Sequence, residues 1–139
     1  MYIPKHFSEE DHATIHALIH EHPLCTLVTQ TPSGMVANHI PLHLSPHEGA
    51  HGVLRGHVAR GNPFWREALA DSEVLAIFQG TNAYISPSWY PTKVETGKAV
   101  PTWNYVSVHA YGKLRIIDDA AWLKSHLSEL TAQHEANQP

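Results

Sequence analysis

Four short segments of this 139-residue sequence combine arginine, asparagine, serine and histidine side chains with aromatic rings near the ends of predicted strands: residues 37–41, 55–63, 84–90 and 101–105. An arginine fork binds phosphate through paired hydrogen bonds, while aromatic rings cover a planar ligand and polar groups satisfy its heteroatoms. The mixture favours a site for a flat ligand that carries a phosphate. From spacing alone, a small barrel whose aromatic residues form the core and whose Arg60 is a surface cation is an equally good interpretation.

Histidine is unusually frequent, with 13 in the chain, and this raises the question of a metal site. His12, His16 and His20 recur every fourth residue and share one face of a predicted helix. A zinc site needs further ligands in a buried setting, so we expect this face to point to solvent and to bind no metal. His39 and His43 share one face of a predicted strand. They are candidates for lining a pocket, and structural histidines are an equally good interpretation.

Nucleophilic catalysis has little support in the sequence. Cys25 lies in an apolar strand, which is typical of an inert buried thiol. Ser86 and Ser88 flank Pro87 without the Gly-x-Ser-x-Gly turn of a nucleophile elbow. The sequence contains neither a glycine-rich dinucleotide loop nor a phosphate loop. Standard hydrolase and nucleotide-fold functions are therefore excluded.

Three helices are predicted from apolar periodicity and from start signals. The first covers residues 8–21, with Ser8 as its N-cap. The second covers residues 63–70, with Asn62 as cap and Pro63 in the first position, and its free N–H groups would favour an anion. The last begins after Asp118 or Asp119 and carries the apolar stripe Trp122, Leu123, Leu127 and Leu130.

The strands are predicted to be short and separated by turns, over residues 24–29, 35–44, 53–58, 73–78, 83–86 and 103–117, with a bend at Gly112. Residues 87–101 are predicted to form a long loop, which in compact domains is often a binding loop. The order contains no strand-helix-strand repeat. We therefore expect a mainly β fold, an antiparallel barrel with flanking helices.

Length, charge and hydropathy limit the number of domains, the class of ligand and the location of the protein. A chain of 139 residues forms a single domain, residues 1–139. The formal net charge of −4 argues against a protein whose main task is to bind phosphate backbones. No apolar run approaches the about 20 residues of a membrane span, and the first residues lack the pattern of a secretory signal. We expect a cytoplasmic protein.

The same segments resemble those of the PaiB-type FMN-binding negative transcriptional regulators, within the flavin-binding split-barrel superfamily that includes pyridoxamine phosphate oxidases. Five motifs carry the resemblance in the expected order across nearly the whole chain: Met1 to Phe7 (MYIPKHF), Ala37 to Leu42 (ANHIPL), Gly56 to Pro63 (GHVARGNP), Tyr84 to Tyr90 (YISPSWY) and Val100 to Tyr105 (VPTWNY). Each motif alone is weak, and together they are a specific match.

The resemblance implies a split β-barrel that forms a homodimer, with FMN bound in grooves at the subunit interface. It implies that residues 36–39 run along the flavin and that Arg60 is the chief cation for the phosphate. Residues 102–104 complete the site, by this analogy from the other subunit. The implied cofactor-binding set is Asn38, His39, His57, Val58, Ala59, Arg60, Asn62, Ser86, Ser88, Trp89, Thr102, Trp103 and Asn104.

Three functions follow from the resemblance as expectations. The first is an FMN-binding regulator, for which direct DNA binding is doubtful because the sequence has no helix-turn-helix pattern. The second is an FMN-dependent oxidoreductase acting on a small molecule, with His39, His57 or Tyr90 as proton donors. A heme-binding or heme-degrading protein is the third and ranks below them. Family members continue past the position of Pro139, so this sequence is either a natural short version or part of a longer chain that completes the site.

Overall fold

The computed structural model describes residues 1–69 and 72–136. Its helices are α1 (His12–Glu21), α2 (Phe64–Glu67), α3 (Pro91–Thr96) and α4 (Ala120–Glu135), and single 3-10 turns lie at Lys5–Phe7 and Pro87–Trp89. Its strands are β1 (Leu24–Thr31), β2 (Gly34–Pro41), β3 (His43–Ser45), β4 (Val53–Arg55), β5 (Glu73–Ile85) and β6 (Thr102–Lys113). Within these ranges, none of the helices has the length and apolar character needed to cross a bilayer.

The strands form one four-stranded sheet in the order β2-β1-β5-β6 and a separate hairpin of β3 and β4. Every strand pair is antiparallel, which confirms the expected mainly β, antiparallel fold with flanking helices. Over the described residues the strands do not close into a barrel. β1 and β2 form the predicted hairpin, in which the Thr31 hydroxyl donates to the Gly34 carbonyl at 2.8 Å.

One face of the sheet forms the core. Cys25 and Leu27 alternate with less buried neighbours along β1, and Ile40 faces Cys25 across the ladder with β2. The core consists of Ile19, Cys25, Leu27, Ile40, Leu42, Phe64, Val74, Ala76 and Phe78. Burial raises the pKa of the Cys25 thiol to about 11, which confirms the prediction of an unreactive thiol. The hairpin of β3 and β4 contributes Leu44 and Leu54 to the edge of this core.

Several predicted helix boundaries are wrong, each for a local reason. α1 begins four residues later than expected, because the Asp11 carboxylate caps it by accepting from the Thr14 N–H at 2.9 Å. α2 is a single turn preceded by Pro63, and Asn62 accepts from the Phe64 N–H at 2.9 Å. The predicted end of this helix at residue 70 lies outside the described residues. α3 occupies the segment that was predicted to be loop.

The strand predictions underestimate β5. Residues 73–78 and 83–86 were predicted as two strands, and the structure joins most of them into one 13-residue strand with an irregularity between Gln79 and Asn82. The predicted strand over 35–44 is divided into β2 and β3, and the one over 53–58 ends at Arg55. Strand β6 stops at Lys113, so the segment after it leads separately into α4.

Candidate functional site

The structure joins two of the predicted site residues, Asn38 and Asn62, by a hydrogen bond, and Arg60 lies two positions before Asn62 in the chain; we call these three residues the arginine end. The Asn62 side chain donates to the Asn38 side-chain oxygen at 2.8 Å, linking β2 to the segment before α2. The Trp65 indole N–H donates to the Arg60 carbonyl at 3.2 Å and so fixes the backbone from which the guanidinium extends. The Arg60 guanidinium suits an anion with several oxygens.

Arg60 binds a carboxylate of its own chain. Its Nη1 and Nη2 atoms donate to the two carboxylate oxygens of Asp118 at 3.1 and 2.7 Å. Both side chains are exposed. The hydrogen bonds to Arg60 hold the pKa of Asp118 below its usual range, and those to Asp118 raise the pKa of Arg60. The site thus presents its cation already paired with an anion.

His57 lies beside the arginine end and contacts α4. Its Nδ1 atom is 3.3 Å from the Nε2 atom of His126, whose ring stacks on Trp122 with centroids 5.4 Å apart. His126 is buried, and its Nδ1 atom has no hydrogen-bond partner among the described residues. Burial, and then the neighbouring His57, lower the pKa of His126.

The contacts of His126 correct the predicted apolar stripe of the last helix. His126 is the buried residue of α4, while Leu123 and Leu127 are each 39% exposed. Trp122 is partly buried against the His126 ring, whereas the leucines lie on the outward side of the helix. The helix is therefore attached to the segment after β4 by a polar and aromatic contact, which a search for apolar periodicity does not detect.

Six further predicted residues form a second group, the aromatic end, at the far end of β5 and β6: Ser86, Ser88, Trp89, Thr102, Trp103 and Asn104. Tyr84 faces Trp103 in the ladder, and their rings lie edge to face with centroids 6.0 Å apart. The Ser86 and Ser88 hydroxyls are 2.7 Å apart. Trp89 is 67% exposed and Trp103 is 59% exposed, and Thr102 and Asn104 are exposed beside them.

The two ends are separated within one copy of the chain. Asn38 faces Leu27, and the strand that carries Leu27 pairs with β5 at Ala76. Tyr84 lies eight positions beyond Ala76 along β5, which at about 3.3 Å per residue corresponds to roughly 26 Å of strand length. The cleft that the resemblance implies, at a subunit interface with residues 102–104 from the other subunit, stays a prediction.

His39 differs from its neighbour Asn38 in the direction of its side chain. Successive residues of a strand point to opposite faces, and Asn38 shares its face with buried Leu27 whereas His39 shares the other with Thr26. His43, predicted to share a face with His39, lies on β3, where its Nδ1 atom is 2.7 Å from the Gln133 side-chain oxygen of α4. The two histidines thus do not line one pocket. Val58 is partly buried against the core, and Ala59 is exposed.

The histidines of α1 lie near the loop between β3 and β4. The His16 Nε2 atom is 3.1 Å from the His51 carbonyl, and the rings of His12 and His51 have centroids 5.2 Å apart. His20 is exposed. Residues 1–69 and 72–136 include no group of three or more His, Cys, Asp or Glu side chains arranged to hold a metal ion.

Two functional candidates, Asp118 and His126, were missed or misassigned by sequence reasoning. Asp118 was considered only as a helix cap, and Asp119 takes that role by accepting from the Trp122 N–H at 2.6 Å. The pair of adjacent aspartates is the one available signal, since a helix needs a single cap and the other carboxylate is left for another partner. His126 carries no local signal, because its partner is 69 positions away.

The arginine end fits the phosphate of FMN by the chemistry of its donors. The Asp118 carboxylate shows that the Arg60 fork is accessible to an anion and has the paired geometry that phosphate also uses. The single-turn α2 adds little dipole to this site, contrary to the expectation of a longer helix. The aromatic end fits a planar ring, because its rings are exposed rather than used in the core.

Comparison with known proteins agrees with this chemistry. The chain matches a family described as "Putative FMN-binding domain" over residues 1–139. It is 37% identical to the uncharacterized protein YKL070W of Saccharomyces cerevisiae over an alignment that covers 100% of the chain and 93% of that protein. It is 41% identical to the protease synthase and sporulation protein PAI 2 of Bacillus subtilis, with 85% of the chain and 54% of that protein covered. The aligned part is thus about half of the Bacillus protein's length.

Proposed function

Since this chain belongs to the FMN-binding domain family, and FMN is its cofactor, we propose that it works as a PaiB-like, homodimeric FMN-binding regulator with a split-barrel fold. The observation that carries the proposal is the separation of the arginine end from the aromatic end, both exposed on one copy. In the proposed dimer, the arginine end of one copy faces the aromatic end of its partner. Each dimer then has two equivalent FMN sites.

At the arginine end, we assign Arg60 to the phosphate and Asn38 and Asn62 to its surroundings. The hydrogen bond between the two asparagines supports this assignment, because it keeps β2 and the Arg60 segment at a fixed distance. A guanidinium presents its donors in a planar fork, so its paired bonds to phosphate set the direction of the ligand as well as its affinity. The backbone bond from Trp65 to Arg60 supports the same geometry.

At the aromatic end, we assign Trp89 and Trp103 to the flavin ring and Ser86 and Ser88 to its polar edge. Exposed apolar patches of this kind mark binding or association surfaces in soluble proteins. The patch includes Tyr84, Trp89, Tyr90, Trp103, Tyr105 and Val106, each at least 40% exposed. In the proposed dimer, flavin and the second copy cover these apolar side chains, whose exposure has no function in a monomer.

The regulatory role is proposed to act without DNA contact by this chain. Its formal net charge is −4, whereas DNA binding releases counterions through a surface rich in lysine and arginine. The region from Asp118 through α4 carries four acidic residues against Lys124 alone. We also propose the cytoplasm as the working compartment, as expected from the sequence.

Flavin titration of the purified full chain tests the proposal. We expect FMN to bind more tightly than riboflavin, which lacks the phosphate, and R60A to remove most of that preference. K124A, which removes a positive charge from exposed α4, is the matched control and retains it. A preference for FMN that survives R60A would contradict the Arg60 assignment. Affinity for a DNA duplex that falls steeply with added salt would contradict regulation without DNA contact.

A further inference from the structure

Asp118 occupies the part of Arg60 that a phosphate would use. Both terminal nitrogens of the guanidinium donate to it, at 3.1 and 2.7 Å, in an end-on fork. Carboxylate and phosphate compete for such a fork because both offer paired oxygens at the same spacing. One pair of N–H groups cannot make its strongest bonds to both anions at once.

We propose, resting on the phosphate role of Arg60, that Asp118 is an internal competitor that the FMN phosphate displaces, and that it makes the site selective for doubly charged phosphate monoesters. A phosphate monoester carries about −1.5 to −2 charges at neutral pH, against −1 for a carboxylate. The electrostatic attraction between Arg60 and a dianion is therefore stronger than that between Arg60 and the Asp118 carboxylate. A singly charged anion is attracted no more strongly than Asp118, and it must also displace a carboxylate that is tethered nearby.

Asp118 is tethered because it immediately precedes α4, which contacts the rest of the chain at defined points. Asp119, the next residue, caps α4 through its side chain, and its carbonyl accepts from the Leu123 N–H at 3.0 Å. Further along, α4 contacts the rest of the chain through His126 on His57 and through Gln133 on His43. Asp118 thus stays near Arg60 at a high effective concentration.

The ionisation of the pair is consistent with this role. The Arg60 hydrogen bonds hold the pKa of Asp118 below its usual range, so the competitor is a full anion wherever FMN is a dianion. Competition therefore persists across neutral pH. The affinity for FMN then rises as the phosphate loses its second proton, near pH 6.

The opposite role for Asp118 makes a different prediction. A guanidinium has five N–H donors, and a phosphate that bound along its Nε edge would leave the end-on fork to Asp118. Asp118 would then orient Arg60, and its removal would weaken FMN binding. The sign of the effect of D118N on FMN affinity separates competition from positioning.

The experiment measures dissociation constants for FMN and riboflavin with flavin-free full chain carrying D118N, E67Q or R60A. D118N keeps the side-chain shape without the charge, and E67Q removes a carboxylate from neighbouring α2 as the matched control. Since exposed ion pairs contribute modestly, we expect D118N to tighten FMN binding about three- to fivefold and to leave riboflavin unchanged. We expect E67Q to change FMN affinity less than twofold.

Competition by inorganic phosphate is the second readout, and D118N is expected to lower the inhibition constant of phosphate, measured at several FMN concentrations. The proposal is overturned by weaker FMN binding in D118N, or by equal shifts for FMN and riboflavin. It is also overturned by an E67Q effect as large as that of D118N. If instead R60A leaves the preference for FMN intact, the phosphate assignment of Arg60 itself fails, and this result is distinct from a failure of Asp118 alone.

Discussion

The Asn62 side-chain amide makes two hydrogen bonds, one through its oxygen and one through its nitrogen. Its oxygen accepts from the Phe64 N–H at 2.9 Å, and its nitrogen donates to Asn38 at 2.8 Å. The first bond starts α2, and the second connects the Arg60 segment to β2. An amide donates from its nitrogen and accepts at its oxygen, so one side chain makes both bonds.

Substitution of Asn62 separates these tasks. We expect N62A to lower the free energy of unfolding by about 1–2 kcal/mol, because a helix cap and a half-buried hydrogen bond are both lost. N62D keeps an oxygen that accepts from the Phe64 N–H, so its free energy of unfolding is expected to decrease less than that of N62A. Urea unfolding of the two variants and the wild type measures this order. A loss in N62D equal to that in N62A would show that the Phe64 bond contributes nothing.

At the residue scale, the sequence identified which side chains could act but not their partners. Arg60 and Asn62 were predicted because arginine and asparagine cluster with glycine and proline there. Their partners are distant in sequence, with Asp118 lying 58 positions from Arg60. A single sequence carries no signal for such a pair, because it depends on how α4 returns to the sheet.

At the element scale, α4 is attached through His126, a buried histidine. The groups facing His126 are His57, His43, Arg55, Glu129 and the ring of Trp122. Its pKa is lowered, chiefly by burial and next by His57. The folded protein therefore takes up this proton at lower pH than the unfolded chain, which does so near pH 6.5.

This difference predicts the pH dependence of stability. As pH falls below about 6.5, the unfolded state gains a proton at this site that the folded state resists, so the free energy of unfolding decreases. Because a single proton is involved, the free energy of unfolding changes by at most about 1.4 kcal/mol per pH unit through this site. The glutamine of H126Q stays neutral at every pH. We therefore expect its free energy of unfolding, measured with urea, to decrease less between pH 7 and pH 5 than that of the wild type. Parallel curves for wild type and H126Q would assign the acid sensitivity to the other 12 histidines.

Gly80 lies within the irregularity of β5 between Gln79 and Asn82, where neighbouring side chains approach the backbone closely. A Cβ at Gly80 would lie 2.7 Å from a methyl carbon of Val106 and 3.3 Å from the His22 ring. The sequence suggested a break here, because glycine followed by Thr81 and Asn82 interrupts the apolar pattern. The pattern at this position reflects a neighbour on β6 rather than the end of a strand.

Replacement of this glycine is a test of the packing. We expect G80A to destabilise the fold by about 1–3 kcal/mol, the range typical of overpacking. G112A is the matched control in the same sheet, since a Cβ at Gly112 meets nothing within 4 Å, and it is expected to be neutral or slightly stabilising. Thermal unfolding of both variants measures the contrast. Equal melting temperatures would mean that Val106 and His22 move aside at little cost.

At the scale of the whole molecule, the fold class was predictable and the assembly of the site was not. The absence of strand-helix-strand repeats indicated antiparallel pairing, and every strand pair in the described residues is antiparallel. The site residues were predicted to converge because their motifs resemble one family's site. One copy of the chain carries the site residues in two groups. The groups are separate because β5 and β6 continue beyond the residues at which β5 pairs with β1.

Mixing two variants tests whether those ends meet across two copies. R60A disables the arginine end and W103A weakens the aromatic end, so each homodimer is expected to lose tight FMN binding. In a mixed dimer, the intact arginine end of the W103A copy faces the intact aromatic end of the R60A copy. Random exchange makes half of the dimers mixed, each with one of two sites restored, so about a quarter of the sites should regain wild-type affinity. FMN titration after joint refolding measures this fraction, and no recovery, with dimers shown by sedimentation, would place both ends of the site in one copy.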